Sequence, residues 1–234
     1  MLYIHSRRVK ARRDAQAEAD TTDVRCYDTP VPEETDISLW DSSWETEVTP
    51  IIDQTINQIV LEFTDFPYLH RSADSIHCEF FRVLASHRVL NHTYPLDKWS
   101  SQPLHKGWPY NPTDLTAGNL DLCIFSPTLL RISSAEDFRE GRIRPTLAIE
   151  IGLDNDLEHL KHSAEKLQHN GQGYLIHLVR EEMQDDFEAV EMFLRLSEEN
   201  GVKTAYVRLT ETHAFYKLIN GKEIKRIELS NAQD

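Results

Sequence analysis

The chain has 234 residues, 40% of them hydrophobic and 27% charged, with a formal net charge of −14. That length suffices for one sizeable core or two small ones, and the composition is that of an ordinary globular protein. No apolar run approaches the roughly 18 residues that a membrane helix requires, so no membrane partner is expected.

Cys26, Cys78 and Cys123 are far apart and form no CxxC pair. This usage suits reduced thiols in an intracellular protein better than a disulfide frame or a zinc ribbon, without separating cytoplasm from nucleus. The charge is uneven. Residues 1–13 hold five bases and no acid, whereas residues 14–47 hold eleven acids and one base, Arg25. The remaining body is acidic too, which argues against tight, nonspecific nucleic-acid binding, because phosphate contacts are made by Lys and Arg.

Residues 1–47 are expected to form a flexible arm: polar, acidic beyond the basic N-terminus, and with little periodicity. Within it "LWDSSWETE" sets Trp40 and Trp44 one helical turn apart. This is either a docking motif for a protein partner or a pair of indoles folded back onto their own domain. Residues 48–234 read as one α/β domain. A helix is expected from Thr49, a plausible N-cap followed by Pro50, with Ile52, Ile56, Ile59, Val60 and Phe63 on its inner face. Ser72 caps a second helix, with Ile76, Phe80, Val83 and Leu84 inward and Glu79 beside them. Residues 92–118, rich in Pro, Trp, Tyr and Gly, read as a long loop with at most a short edge strand.

"NLDLCIFSP" is a strand, with Asp121, Cys123 and Phe125 on one face and Leu120, Leu122 and Ile124 on the other. After a polar stretch, "TLAIEIGL" is a second strand, in which Thr146, Ala148, Glu150 and Gly152 share a face. Asp154 or Asn155 is expected to cap the next helix, whose inner stripe is Leu157, Leu160, Ala164 and Leu167. Then come a strand "GYLIHLVR", a helix on Phe187, Val190, Phe193 and Leu194 ending at Asn200-Gly201, and a strand "VKTAYVRL". A hairpin turning at Asn220-Gly221 closes the chain. Alternating helices and strands in this order describe a single mixed-sheet α/β domain.

Glu150 is the residue that demands an explanation. A carboxylate on an apolar strand is costly to bury unless a cation or a hydrogen-bond donor meets it. Asp121 lies on a second apolar strand, expected to be a neighbour. Two hard oxygen ligands with open positions suit Mg²⁺ or Mn²⁺, with water and a phosphate completing the shell. As alternatives, Asp121 at a strand start can cap a turn, Glu79 can be a solvated helix acid, and Glu150 can face water from an edge strand.

From Ser72 to Arg180 the chain resembles the PD-(D/E)XK nuclease superfamily, the restriction-endonuclease-like fold. The resemblance rests on the helix with Glu79, "NLDLCIF" with Asp121, "LAIEIGL" with Glu150, the helix "DLEHLKHSAEKL" and the strand "GYLIHLV". It implies an αβββαβ core, preceded here by a helix and followed by a helix and C-terminal strands. It further implies metal binding by Asp121 and Glu150, an auxiliary acid at Glu79, and Mg²⁺-dependent hydrolysis of nucleic-acid phosphodiesters. The motif lysine falls at Gly152, which has no side chain. In such nucleases that lysine positions the attacking water and stabilises the anionic transition state.

Lysines displaced from the strand occur in the superfamily. Lys161 lies about 80° from the centre of its helix's apolar stripe, so its ammonium is the expected substitute, although pairing with Glu158 or Glu165 is an equal alternative. Lys166 is expected to project away from the core, and His159 to lie on the opposite face. The glycine at position 152, the acidic body and the Trp40/Trp44 arm are also compatible with an alternative: a nuclease-fold module that has lost catalysis and acts as an interaction or scaffold protein. His159 and His162 do not make the HExxH spacing of zinc enzymes, Cys123 reads as core, and "HKGWPYNP" reads as a loop packing its own aromatics.

Overall fold

In the computed structural model, which describes residues 34–110, 118–170, 172–180, 187–221 and 223–229, three helices precede the strands and pack on one face of a sheet, and others cover the second. Helix α1 (Glu34–Asp65) leads into α2 (Ala73–Ala85) and the short α3 (Arg88–Asn91). The strands β1 (Tyr94–Leu96) and β2 (Trp99–Ser101) make a separate hairpin. Next come β3 (Leu104–Pro109), β4 (Asn119–Ile124), the short helices α4 (Pro127–Ile132) and α5 (Ala135–Arg139), and β5 (Leu147–Leu153). The second half alternates α6 (Leu157–Asn170), β6 (Gln172–Val179), α7 (Phe187–Glu199), β7 (Val202–Leu209), β8 (His213–Lys217) and β9 (Lys225–Glu228). From Ile37 onward these elements belong to one unit, Ile37–Asp234, a mixed α/β domain.

The seven-stranded sheet has the order β3-β4-β5-β6-β7-β8-β9. β5, β6 and β7 are parallel to one another, and the flanking pairs are antiparallel. α6 is the crossover between β5 and β6, and α7 that between β6 and β7, as parallel neighbours require. Ile52, Ile56, Ile59, Val60 and Phe63 of α1 and Ile76, Phe80 and Leu84 of α2 pack on one face, against Ile149, Ile151, Ile176 and Val207. Leu160, Ala164 and Leu167 of α6 and Val190 and Leu194 of α7 pack on the other, against Ala148, Leu175 and Tyr206. With helices on both faces, every residue of β5 is buried.

Several expectations change. The first helix begins at Glu34 rather than Thr49, so residues 34–47 of the expected arm are helical and Pro50 lies inside the helix. Residues 1–33 lie outside the described residues. Trp44 is 6% exposed and continues the i+4 stripe through Val48 and Ile52 into the core. It therefore faces its own domain, not a partner; Trp40 lies on the same helix, with its side chain outside the description. The expected loop at 92–118 contains a hairpin and the edge strand β3. The C-terminal hairpin is centred on Asn220-Gly221, with Asn220 at φ 63°, but its ladder stops at Tyr216↔Lys225. Lys217 is drawn inward to Glu198 and Thr204 Oγ1, and Ile219 N–H donates to Asn57 Oδ1, so the chain leaves the ladder before the turn.

The burial of Trp44 carries a direct expectation. Trp44→Ala should lower unfolding stability by about 3 kcal/mol or more, read from the urea midpoint. Trp44→Phe should cost far less, because the buried indole Nε1 has no hydrogen-bond partner among the described residues to lose.

Candidate functional site

The chemistry-bearing residues gather where β4 and β5 part. Their ladder comprises Ile124↔Leu147, Cys123↔Ala148 and Leu122↔Ile149, and ends there, although both strands continue. One more step of that register sets Asp121 opposite Glu150. Beyond Leu122 the side-chain alternation of β4 breaks. Leu122 and Ile124 face the α1/α2 layer, whereas Leu120 packs with Cys123 and Phe125 on the α6 side. The expected face shared by Leu120, Leu122 and Ile124 is thus interrupted at Asp121. On β3 the same switch occurs at Gly107, the position opposite Asp121 in that register. Lys106 reaches Asp74 on α2, and Trp108 joins the cluster on the other side. Gly107 has φ 69°, a left-handed conformation that glycine adopts without steric cost.

At this fork side-chain oxygens take over from the ladder. Asp121 N–H donates to Glu150 Oε1 at 3.2 Å, and Ile151 N–H donates to Asp121 Oδ2 at 2.8 Å. The two carboxylates thereby satisfy backbone donors that the separating strands leave without carbonyl partners. Both expected acids lie at one place, on adjoining strands.

Glu150 has a side chain only 2% exposed, and its cation is Lys166, whose Nζ donates to Oε2 at 2.8 Å and to Asn119 O at 3.1 Å. Ser163 adds a hydrogen bond to the same carboxylate. Burial raises the Glu150 carboxyl to about 7, with a further upward push from the Asp121 charge, against Lys166 and Ser163, which pull it down. Cys123 lies close enough that burial first, then Glu150 and Asp121, push its thiol up, so it is a core thiol and no nucleophile.

Lys161 is not the lysine at this carboxylate. Its Nζ lies 2.6 Å from Glu158 Oε1 on an exposed flank, and Lys166, which the apolar stripe points away from the core, is buried. The buried surface of α6 is wider than its apolar stripe, because the flank through Ser163 and Lys166 faces β4 and β5. His159 stands within electrostatic reach of Asp121 and Lys166, not on a remote face. The cap of α6 is Asp156, which accepts from His159 N–H at 2.9 Å, while Asp154 receives the Arg180 guanidinium and backbone N–H.

On α2, Glu79 is held by Arg82 of its own helix, which keeps its carboxyl below the usual value. The α2 side chain that reaches the fork is His77, with Nε2 3.6 Å from Asp121 Oδ2 and 3.2 Å from Ile151 O. Gly152 has a steric reason. A Cβ there would lie 3.2 Å from His177 Nδ1 and 3.4 Å from Asn155 Nδ2, so the neighbouring strand leaves little room for a longer side chain. Trp108 is 7% exposed, donates from Nε1 to Ile143 O at 3.0 Å, and meets Phe125 edge-on, so it belongs to strand β3 and packs into the domain's own core rather than within a loop.

Among the described residues no three His, Cys, Asp or Glu side chains are grouped to hold a metal ion. Beside the His77 imidazole, whose Nε2 meets Ile151 O, the donors at the fork are two carboxylates and a main-chain carbonyl, which are hard oxygens. Such a set fits Mg²⁺, which is bound through one or two carboxylates and keeps water on its other positions, and does not fit a zinc cage. No helix among the described residues is long and apolar enough to cross a membrane. No family model, curated protein or solved structure matches the chain.

The buried pair makes a stability prediction. Lys166→Met leaves Glu150 without its cation and should cost about 3 kcal/mol near pH 8, where the carboxyl must either ionise unpaired or take up a proton that the unfolded chain does not hold. A carboxyl whose folded value is raised binds its proton more tightly folded than unfolded, so its contribution is most favourable at low pH and declines through the window from 4.5 to about 7. Removing Lys166 extends that window upward. The loss should therefore be visibly smaller near pH 5.5, and the double variant Glu150→Gln/Lys166→Met should recover most of it in urea titrations.

Proposed function

We propose that this chain is a PD-(D/E)XK-like phosphodiesterase acting on nucleic acid, dependent on Mg²⁺ or Mn²⁺, with Asp121 and Glu150 as the metal-binding acids. The single observation that carries this reading is the meeting of Asp121, Glu150 and a lysine where β4 and β5 part. The sequence of α2, β3, β4, β5, α6 and β6 supports it, because with α3, β1, β2, α4 and α5 set aside as insertions it has the order of the restriction-endonuclease-like αβββαβ core. Lys166, from the helix after the motif strand, supplies the positive charge that Gly152 lacks.

The bound ion would polarise water and neutralise charge on the phosphate, as hard divalent cations do in phosphoryl chemistry. The chain's own residues do the rest. Lys166 opposes the burial and the Asp121 charge that raise the Glu150 carboxyl to about 7, and so favours the ionised form that a cation needs. Asp121, with 24% of its side chain exposed, is the member of the pair open to solvent and hence to substrate. The exposed rings of Phe66 and Tyr68, with Tyr68 5.6 Å from the Arg180 guanidinium, offer bases a stacking surface.

One observation favours the second reading, a nuclease-fold module that has lost catalysis and acts as a scaffold. Both Glu150 oxygens already accept hydrogen bonds within the protein. Thermal shift with Mg²⁺ or Mn²⁺ separates the two. Metal should raise the melting temperature of the wild type and leave Asp121→Asn unmoved. Lys166→Arg, which keeps the charge, should lower cleavage of single- or double-stranded substrates less than Lys166→Ala, which should cost about two orders of magnitude or more; Lys161→Ala should cleave like the wild type. No melting shift at millimolar metal, and no cleavage, would leave the scaffold reading standing.

A further inference from the structure

We infer that His77 occupies the cation's place at Asp121, so that a divalent ion must displace its imidazole before it can bind. The inference rests on the metal-site reading above and concerns what guards that site. His77 projects from α2 into the fork and sits over two oxygens from different strands, Asp121 Oδ2 at 3.6 Å and Ile151 O at 3.2 Å. A main-chain carbonyl only accepts, so the ring nitrogen that meets it carries the hydrogen. A nitrogen that holds its hydrogen has no lone pair for a metal. What His77 presents to the fork is therefore a positive N–H dipole, the kind of charge that a cation would present to the same oxygens.

The neighbouring groups agree with this assignment. Glu150 is matched by Lys166, whereas Asp121 accepts from Ile151 N–H and, among the described residues, has the His77 ring 3.6 Å away, beyond hydrogen-bond reach, in place of a lysine or arginine. The side chain of His77 is 13% exposed and that of Asp121 24%, so this edge of the fork is where solvent and ions arrive. Departure of the imidazole vacates Ile151 O and one side of Asp121 together. Ion affinity is thus set by a contest: the oxygens gain a divalent cation and lose a hydrogen bond to His77.

Isothermal titration of MgCl₂ into the full chain tests this. His77→Ala should bind Mg²⁺ about fivefold more tightly than the wild type, the equivalent of one hydrogen bond no longer broken. His77→Asn, whose shorter side chain cannot span to Ile151 O, should tighten binding in the same direction and guards against loss of packing in the alanine variant. In ¹⁵N imidazole spectra of the wild type, the His77 Nε2 signal should move as Mg²⁺ is added. Wild-type binding with equal or weaker affinity in both variants, or an Nε2 signal unmoved at saturating metal, would overturn the inference and leave the metal site intact. Absence of Mg²⁺ binding to all three proteins would overturn the metal site itself, and this inference with it.

Discussion

A carboxylate and an ammonium, 2.8 Å apart in the interior, hold the middle of this protein together. Glu150 belongs to a strand with no exposed position, and Lys166 to a helix laid across it. Neither charge is tolerable there alone, because water is excluded and the penalty for an unpaired buried ion is several kcal/mol. The pair is extended by Asp121 N–H on Glu150 and by Asn119 O on Lys166, so three elements, β4, β5 and α6, are joined through one polar cluster. An apolar core of the same volume would not need this network. A charged one needs every member of it.

The network exists because β4 and β5 separate. Two strands that stop pairing leave unbonded N–H groups in a place that water reaches poorly, and those groups must find acceptors. Asp121 and Glu150 provide them across the gap, each serving the other's strand. The same divergence turns Leu120 toward the opposite layer from Leu122, and the left-handed Gly107 lets β3 follow. Satisfying the fork's backbone and assembling two carboxylates are thus one structural act.

A charge at this position can come from either of two supports. A lysine two residues after Glu150 would approach along the strand, but His177 and Asn155 crowd that position. A lysine from α6 approaches from above, on a stem long enough to cover the distance between layers. That route also anchors the helix, which explains why Lys166 is nearly as buried as the apolar residues around it. The fork's outer edge is left to Asp121 and His77, the members in touch with solvent.

The amino-acid sequence by itself determined the elements that periodicity writes plainly. These are the inner faces of α1, α2, α6 and α7, the strands around Asp121 and Glu150, and the oddity of an acid within "LAIEIG". Such patterns survive folding because apolar burial depends mainly on which residues share a face. At the first helix the local signals conflicted: Thr49-Pro50 reads as a start, yet the i+4 stripe of Trp44, Val48 and Ile52 carries the helix back past Pro50, since packing outweighs one missing hydrogen bond. Other features had no local signature. The fork depends on strands distant in the chain. The choice of Lys166 over Lys161 was decided only in three dimensions. A helical wheel shows where apolar residues point, whereas a lysine is buried by the opposite charge that awaits it, and that charge lies on another strand.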